Sequence, residues 1–490
     1  MTFEEVDRES NRLANALASL GVRRHDAVGV VSENRVEYGL LLYACAKLGA
    51  MAATLNWRSA PDELAAAIVV AAPRLVLVSG RYRELFEAAR SKTDGIRRVV
   101  LLDGAPMAQD EVAYDALMAA AGDQDPGIDV DPEDVVSLVY TSGTTGRPKA
   151  AAISQRAIVA RAMVMAADMG LHAEESFIAW APLFHMVSSD YLMIMGILGG
   201  KCFIAPGFDP EVLVDVMYKE PVAWLTLMPG TIEPVLEEVR RTGHRPLKLR
   251  LVGSMADLLS ADLIAETTTV LQAPYFNSFG STEAGTLPSS GTTIPIGVRP
   301  DRLSKRQSAF CDVRLVGDDG ADVVGGEPGE MLIRTPTMFS GYVNDPEATA
   351  EVFAEGWYHT GDVMRRNPDG TLDFLDRSRY MIKSGGENIY PAELERVLRA
   401  HPAVLEAVVI KARDERWGEA PWACVAVRDD RITGDELIAY TGERLARYKR
   451  PRRVVFLRPD EFPRSETGKV IRHELEVLVG AKAGEKEVHS

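Results

Sequence analysis

Apolar residues recur at helical spacing over the first twenty positions, at Val6, Leu13, Leu17 and Leu20, and the run stops at Gly21, which suits a left-handed helix cap. Residues 27–31 form a short β-branched run and predict a strand, residues 36–48 read as a helix up to Gly49, and 75–78 and 99–102 are strand-like again. Strands alternating with helices are the rhythm of an α/β domain built on parallel sheets. The alternation resumes after residue 150, with a helix over 157–169, strands at 176–181 and 201–204 and a helix over 211–219, so two similar halves are expected.

The texture changes after residue 290. Short strands at 312–316, 329–334 and 371–375 are separated by turns such as Asp318-Asp319-Gly320 and Asn367-Pro368-Asp369-Gly370, which predicts a small antiparallel barrel or sheet over about 291–376. Beyond Asp376-Arg377 the chain reads helix (391–400), strand (403–411), strand (422–427), helix (433–445) and strand (453–457), a separate α+β unit. The expected division is an N-terminal domain over 1–378 and a C-terminal domain over 379–490, with a hinge at Ser378 to Tyr380. No internal repeat is visible, and the tail 481–490 reads as frayed.

At 490 residues the chain exceeds one ordinary core and implies about three or four compact units. The formal charge of −16 argues against a general binder of nucleic acid or anionic membrane, so a phosphate ligand would be held by local positive groups working against the overall field. Cys45, Cys202, Cys311 and Cys424 lie far apart without a CxxC pair, which predicts reduced thiols in a cytoplasmic protein and no structural zinc. The start of the chain lacks the pattern of a secretion signal. The most apolar stretches, 40–55 and 191–205, are each broken by a lysine and fall short of the ~18 residues a membrane span needs, so they read as core.

One stretch cannot be core. Tyr140-Thr-Ser-Gly-Thr-Thr-Gly-Arg-Pro-Lys149 follows a buried-strand pattern at 135–139 and is small and hydroxylated. Gly143 and Gly146 remove the Cβ atoms that would hold a polyanion away from the backbone, Thr141, Ser142, Thr144 and Thr145 offer hydroxyls, and Lys149 supplies charge. The spacing is not that of a Walker A loop. Asn277-Ser-Phe-Gly-Ser-Thr-Glu283 puts an aromatic ring, a glycine and a carboxylate in one loop, where Phe279 would lie against a purine, Gly280 would let the backbone approach and Glu283 would hold Mg²⁺. Asp362, ending Tyr358-His-Thr-Gly-Asp362, suits two ribose hydroxyls; Arg377 serves either that ribose or a plain salt bridge. Lys469, in a loop with Gly468, is a long cation able to reach a neighbouring site.

In this order these segments resemble the adenylate-forming superfamily, which includes acyl- and aryl-CoA synthetases, luciferases and the adenylation domains of peptide synthetases, and the match runs across nearly the whole chain. The resemblance implies a large N-terminal domain of two parallel α/β sheet subdomains plus a small β-barrel, followed by a small mobile α+β domain hinged near Arg379. It implies a two-step reaction: a carboxylate attacks the α-phosphate of ATP, releasing pyrophosphate, and a thiol then displaces AMP. Catalysis would fall to Lys469, His185, Thr282 and Glu283, with Mg²⁺ at Glu283 and Thr144. The nucleotide would be held by residues 141–146, Lys149, Gly253, Asn277, Ser278, Phe279, Gly280, Asp362 and Arg377. His185, in Pro182-Leu-Phe-His185, would lie near the acyl carboxylate and Phe184 near the acyl pocket; Gly385 and Gly386, in Ser384 to Pro391, would let the pantetheine arm of CoA pass.

The chain departs from that family in three places. Gly253-Ser-Met-Ala-Asp257 replaces a Gly/Ala-rich turn followed by proline, with Met255 narrowing the adenine wall. The basic segment from Ile296 to Ser308 replaces a glycine-rich passage and reads as a solvated loop rather than a phosphate contact. The chain also starts within what is normally the first helix, so a leading strand or two is expected to be missing. Tyr191, Trp224, Met228, Phe276 and Ser278 are the candidates for the acyl pocket, admitting an aromatic or a medium-length acid. The expectation is an acyl- or aryl-CoA synthetase using ATP, Mg²⁺ and CoA, with a two-fold dimer as the default assembly. A stand-alone enzyme loading a carrier protein stands second, and a non-catalytic AMP- or acyl-binding relative third.

Overall fold

The opening helix, Phe3–Ser19, begins in a capping box in which the Thr2 hydroxyl accepts from the Glu5 amide and the Glu5 carboxylate accepts from the Thr2 amide. The computed structural model describes residues 1–142, 148–384, 387–414, 416–428, 431–464 and 470–487, with backbone alone at Ser142, Leu258 and 481–487.

Two mainly parallel sheets follow from the alternating pattern. The first has seven strands in the order Glu111–Ala113, Arg98–Leu101, Leu75–Val78, Ala27–Val31, Met51–Thr54, Val135–Ser142 and Pro148–Ser154, parallel except for the last pair. The second has six, in the order Thr293–Ile294, Tyr275–Phe276, Lys248–Val252, Pro221–Leu225, Ser176–Ala179 and Lys201–Ile204, parallel except for the first pair. Helices Val36–Leu48, Gln155–Met169 and Met186–Leu198 bring buried side chains from both halves into one core cluster, so the halves share an apolar interior.

The β-rich stretch is a five-stranded antiparallel sheet, in which Trp357–Arg366 pairs with Pro328–Arg334 on one side and with Phe353–Ala354 and Leu372–Arg377 on the other. The ladder runs from Asp312–Val316 through Pro328–Arg334 to Trp357–Arg366, the antiparallel β-rich unit that the turn pattern predicted. After the short turn Ser378–Tyr380, a second five-stranded sheet packs with helices Pro391–Arg399, Gly434–Gly442 and Arg472–Glu487. Its apolar side chains form two clusters drawn only from residues beyond 380.

The strand read at 422–427 begins four residues sooner, at Gly418, because its pairing with Val404–Asp414 continues to Asp414 opposite Gly418. Ala420 and Pro421 have poor strand propensity, and the long hairpin overrides it. Among the described residues no helix is long and apolar enough to cross a membrane, and the four cysteines are free thiols.

Candidate active site

Glu283 sits at the tip of the hairpin formed by Phe279–Ser281 and Gly285–Ser289. Gly280 has a packing role there, because a Cβ would collide with the carbonyl of Gly285 across the hairpin. The Glu283 carbonyl accepts from the Phe339 amide at 2.8 Å, and its buried carboxylate accepts from the Tyr342 hydroxyl at 2.9 Å.

Tyr342 is placed by a short antiparallel contact. Ala152 donates to the Gly341 carbonyl at 2.9 Å and Val343 to the Ala150 carbonyl at 2.9 Å, which zips this segment onto Pro148–Ser154. Lys149, at the start of that strand, therefore lies over the Tyr342 ring at 5.1 Å, with Thr141 opposite it in register. The sheet register pairs Asp362 with Arg377, and the Arg377 Nε stands 3.0 Å from the buried Asp362 carboxylate. Asp362, and with it Glu283, holds the Arg377 guanidinium above its ordinary pKa. Burial, then the charge of Glu283, keeps the Tyr342 and Tyr358 phenols protonated well beyond the usual range, so both remain hydrogen-bond donors. Glu283, Tyr342, Tyr358, Lys149, Asp362 and Arg377 thus converge from separate segments into one charged cluster.

Phe279, expected to face a purine, is 5 % exposed and packs on Phe374 with ring centroids 5.2 Å apart. Phe374 covers part of that ring in a tilted arrangement, because two rings gain by sharing their burial rather than facing water. The Asn277 side chain is engaged inside the fold as well, accepting from the Ala256 amide at 3.3 Å and donating to the Leu303 carbonyl at 3.1 Å. Ser278 beside it is half-buried.

Gly253 has φ +87°, and a Cβ there would collide with the Tyr275 ring, so the turn needs glycine for the close approach of a side chain. Two of the unusual segments meet here. Lys305, from the basic stretch after Ile296, is fully buried and paired with Asp257 from the Gly253 turn, and it donates to the Leu303 carbonyl at 3.2 Å. The reading of this stretch as a solvated loop therefore fails at Lys305, whose ammonium lies 5.9 Å from the Phe279 ring.

His185 precedes helix Met186–Leu198, its ring 4.6 Å from that of Phe184. Tyr191, Trp224 and Phe276, proposed as acyl-pocket lining, are buried against one another, with centroids 4.6 Å apart for Tyr191 and Trp224 and 5.5 Å for Trp224 and Phe276. The Trp224 indole N–H donates to the Gly253 carbonyl at 2.6 Å, so these rings form a packed wall rather than an open lining. Met228 is half-buried.

Gly143, Thr144, Thr145, Gly146, Gly385, Gly386 and Lys469 lie outside the described residues, as does the Ser142 side chain. Thr282 contributes its carbonyl, which accepts from Arg161 at 2.9 Å. Reading the sequence missed Arg161 and its partner Asp190, although each is a lone charge on an otherwise apolar helical stretch. Burial pushes the Asp190 carboxyl up, with Arg161 opposing. Asp376 was missed as well: burial raises its carboxyl to about 6, while its oxygens accept from the Arg377 amide at 2.7 Å and the Ala392 amide at 2.8 Å, tying the sheet to helix Pro391–Arg399.

The family described as AMP-binding enzyme matches residues 1–343, and its C-terminal domain family matches residues 393–469. The chain belongs to the AMP-binding enzymes. Within that family it is 34 % identical over 488 residues to an indoleacetate–CoA ligase of Aromatoleum aromaticum, covering 98 % of this chain and 94 % of the relative. It is 33 % identical to a feruloyl-CoA synthase of Amycolatopsis, covering 97 % and 93 %. Among solved structures, an anthranilate CoA ligase in complex with anthranoyl-AMP superposes with a TM-score of 0.87 at 26 % identity, covering 99 % of this chain and 93 % of that one. These relatives place this AMP-binding enzyme in the acyl- and aryl-CoA synthetase branch of the adenylate-forming superfamily.

Proposed function

We propose that the protein is an AMP-forming acyl- or aryl-CoA synthetase, converting a carboxylic acid, ATP and CoA into acyl-CoA, AMP and pyrophosphate through an acyl-adenylate. The observation that carries the reading is the convergence of Glu283, Tyr342, Lys149, Asp362 and Arg377 from segments far apart in sequence. Such a cluster suits a polyanionic nucleotide in a chain of net negative charge, because charge stabilisation acts at close range inside a partly desolvated site.

In the first step an oxygen of the acid attacks the α-phosphorus and the bond to the β-phosphate oxygen breaks, releasing pyrophosphate. In the second the CoA sulfur attacks the acyl carbon and AMP leaves with the electron pair of the acyl–oxygen bond. Lys149 and Lys469 oppose the negative charge that keeps the acid from ATP, and Asp362, oriented by Arg377, takes the ribose hydroxyls. The buried Glu283 carboxylate, held by the Tyr342 hydroxyl, has the chemistry to serve as a hard oxygen ligand for a divalent cation. Glu283 would hold Mg²⁺ there; when bound, it neutralises charge on the phosphate oxygens.

The small domain would turn about Arg379 between the two steps, because Lys469 has to leave the acyl carbon before a thiol reaches it. Two relatives, named for indoleacetate and ferulate, favour an aromatic acid. The test supplies ATP, Mg²⁺ and a panel including indoleacetate, ferulate and fatty acids, and measures pyrophosphate, then thioester on adding CoA. Acid-dependent pyrophosphate followed by thioester is expected; absence of acid-dependent pyrophosphate across the panel overturns the reading.

A further inference from the structure

Arg161 and Asp190 face each other from helices Gln155–Met169 and Met186–Leu198, 3 % and 1 % exposed. The two Arg161 terminal nitrogens divide their work: one pairs with the Asp190 carboxylate, and the other donates to the Thr282 carbonyl at 2.9 Å and the Glu283 carbonyl at 3.4 Å. Nε donates to the Thr337 carbonyl at 3.2 Å. The Thr337 hydroxyl in turn donates to the Ala284 carbonyl at 2.7 Å, so guanidinium and hydroxyl together clasp the main chain at 282, 283, 284 and 337.

A buried ion pair is a poor device for stability, since desolvating two charges costs about as much as their attraction returns, and well-packed apolar residues usually do as well. What the planar guanidinium offers is several donors in one rigid plane, able to reach three carbonyls and a carboxylate at once. We propose that Arg161, held by Asp190, is a positioning residue that fixes the Thr282–Glu283 turn and so aims the Glu283 carboxylate; this rests on the role proposed for Glu283 above. Glu283 follows directly on a carbonyl that Arg161 holds, and its own carbonyl is held as well. A free hairpin tip would lose that direction, and a small misplacement of a group in a charge-stabilising site is costly.

Arg161→Lys tests this, because the ammonium preserves the charge opposite Asp190 and hence the fold, but a compact point charge cannot span the three carbonyls. Acid-dependent pyrophosphate release is expected to fall roughly ten- to a hundredfold, with a higher Mg²⁺ requirement, while conversion of supplied acyl-adenylate to thioester changes less than about twofold. Arg161→Met with Asp190→Leu, which removes both charges together but takes the donor from the Thr282 and Thr337 carbonyls, is expected to melt a few degrees lower, remain folded and show the same split. Unchanged pyrophosphate release in Arg161→Lys, or equal loss of both half-reactions, overturns the proposal. Binding of a non-hydrolysable ATP analogue with and without Mg²⁺ is read alongside: Arg161→Lys is expected to lose the tightening that Mg²⁺ gives the wild type, and retained tightening also overturns it. A wild type without acid-dependent pyrophosphate release would defeat the functional reading instead, and this binding measurement would still decide the positioning claim.

Discussion

The pair formed by Lys305 and Asp257 makes an asymmetric prediction. The Lys305 side chain is 1 % exposed and that of Asp257 is 14 % exposed, so the partner left behind matters more than the partner removed. Asp257→Ala strands an ammonium with no route to water and is expected to cost roughly 3–5 kcal/mol, the usual penalty for an uncompensated buried charge. Lys305→Met fills the space with an unbranched apolar chain and leaves a carboxylate that can reach solvent, so it is expected to cost about 1–2 kcal/mol. The double change, Lys305→Met with Asp257→Leu, removes both desolvation penalties and should return to within about 1 kcal/mol of the wild type. Scanning calorimetry reads these differences. At roughly 2 °C per kcal/mol for a large domain, Asp257→Ala should melt about 6–10 °C lower and Lys305→Met about 2–4 °C lower. A Lys305→Met penalty equal to or larger than that of Asp257→Ala, or a double variant as unstable as the two singles added together, would refute the reasoning. Either result would mean that Lys305 gains its stability from the Leu303 carbonyl and the Phe279 ring rather than from Asp257.

Three further outcomes are expected. Tyr342→Phe removes the hydroxyl that bonds to Glu283 and should destabilise the free protein by about 1.5–3 kcal/mol, with the gap narrowing once Mg²⁺ and ATP are added; an equal loss of melting temperature in both conditions counts against Glu283 as the cation ligand. Asp376 has its carboxyl raised to about 6, so the folded protein binds the proton more tightly than the unfolded chain, and its contribution, complete below the ordinary carboxyl range, is lost as pH rises towards 6. Asp376→Asn should remove up to about 3 kcal/mol of that decline, visible as a melting-temperature gap that opens in favour of the variant between about pH 4 and 7; a gap opening the other way sinks the assignment. Lys469→Ala should lose acyl-adenylate formation while still turning supplied acyl-adenylate into thioester, and a bulky residue at Gly385 should do the reverse; matched losses in both variants would exclude alternating use of one site by two faces of the small domain.

The elements were legible because burial periodicity is local. The β-branched run at Ala27–Val31, the helix Val36–Leu48 and the strand Lys201–Ile204 stand where their patterns predict, each bounded by a change of period or a glycine. Lys149, Glu283 and Asp362 each lie within three positions of a glycine in a polar loop, which is a chain-local cue, whereas Arg377, between Asp376 and Ser378, carries no such cue and reads equally as a plain salt bridge. What the amino-acid order alone left open was the pairing. Nothing near Glu283 in sequence announces Tyr342, which arrives only because its segment zips onto Pro148–Ser154. Phe279 reads from its own loop as a platform for a base, and only the fold brings Phe374, distant in the chain, against it. The lysine of a basic stretch looked solvated until Asp257, from a different turn, was found against it. Periodicity reports which side of an element faces inward; the identity of the group met there is a long-range property, set when separate elements pack and each buried charge must find its partner.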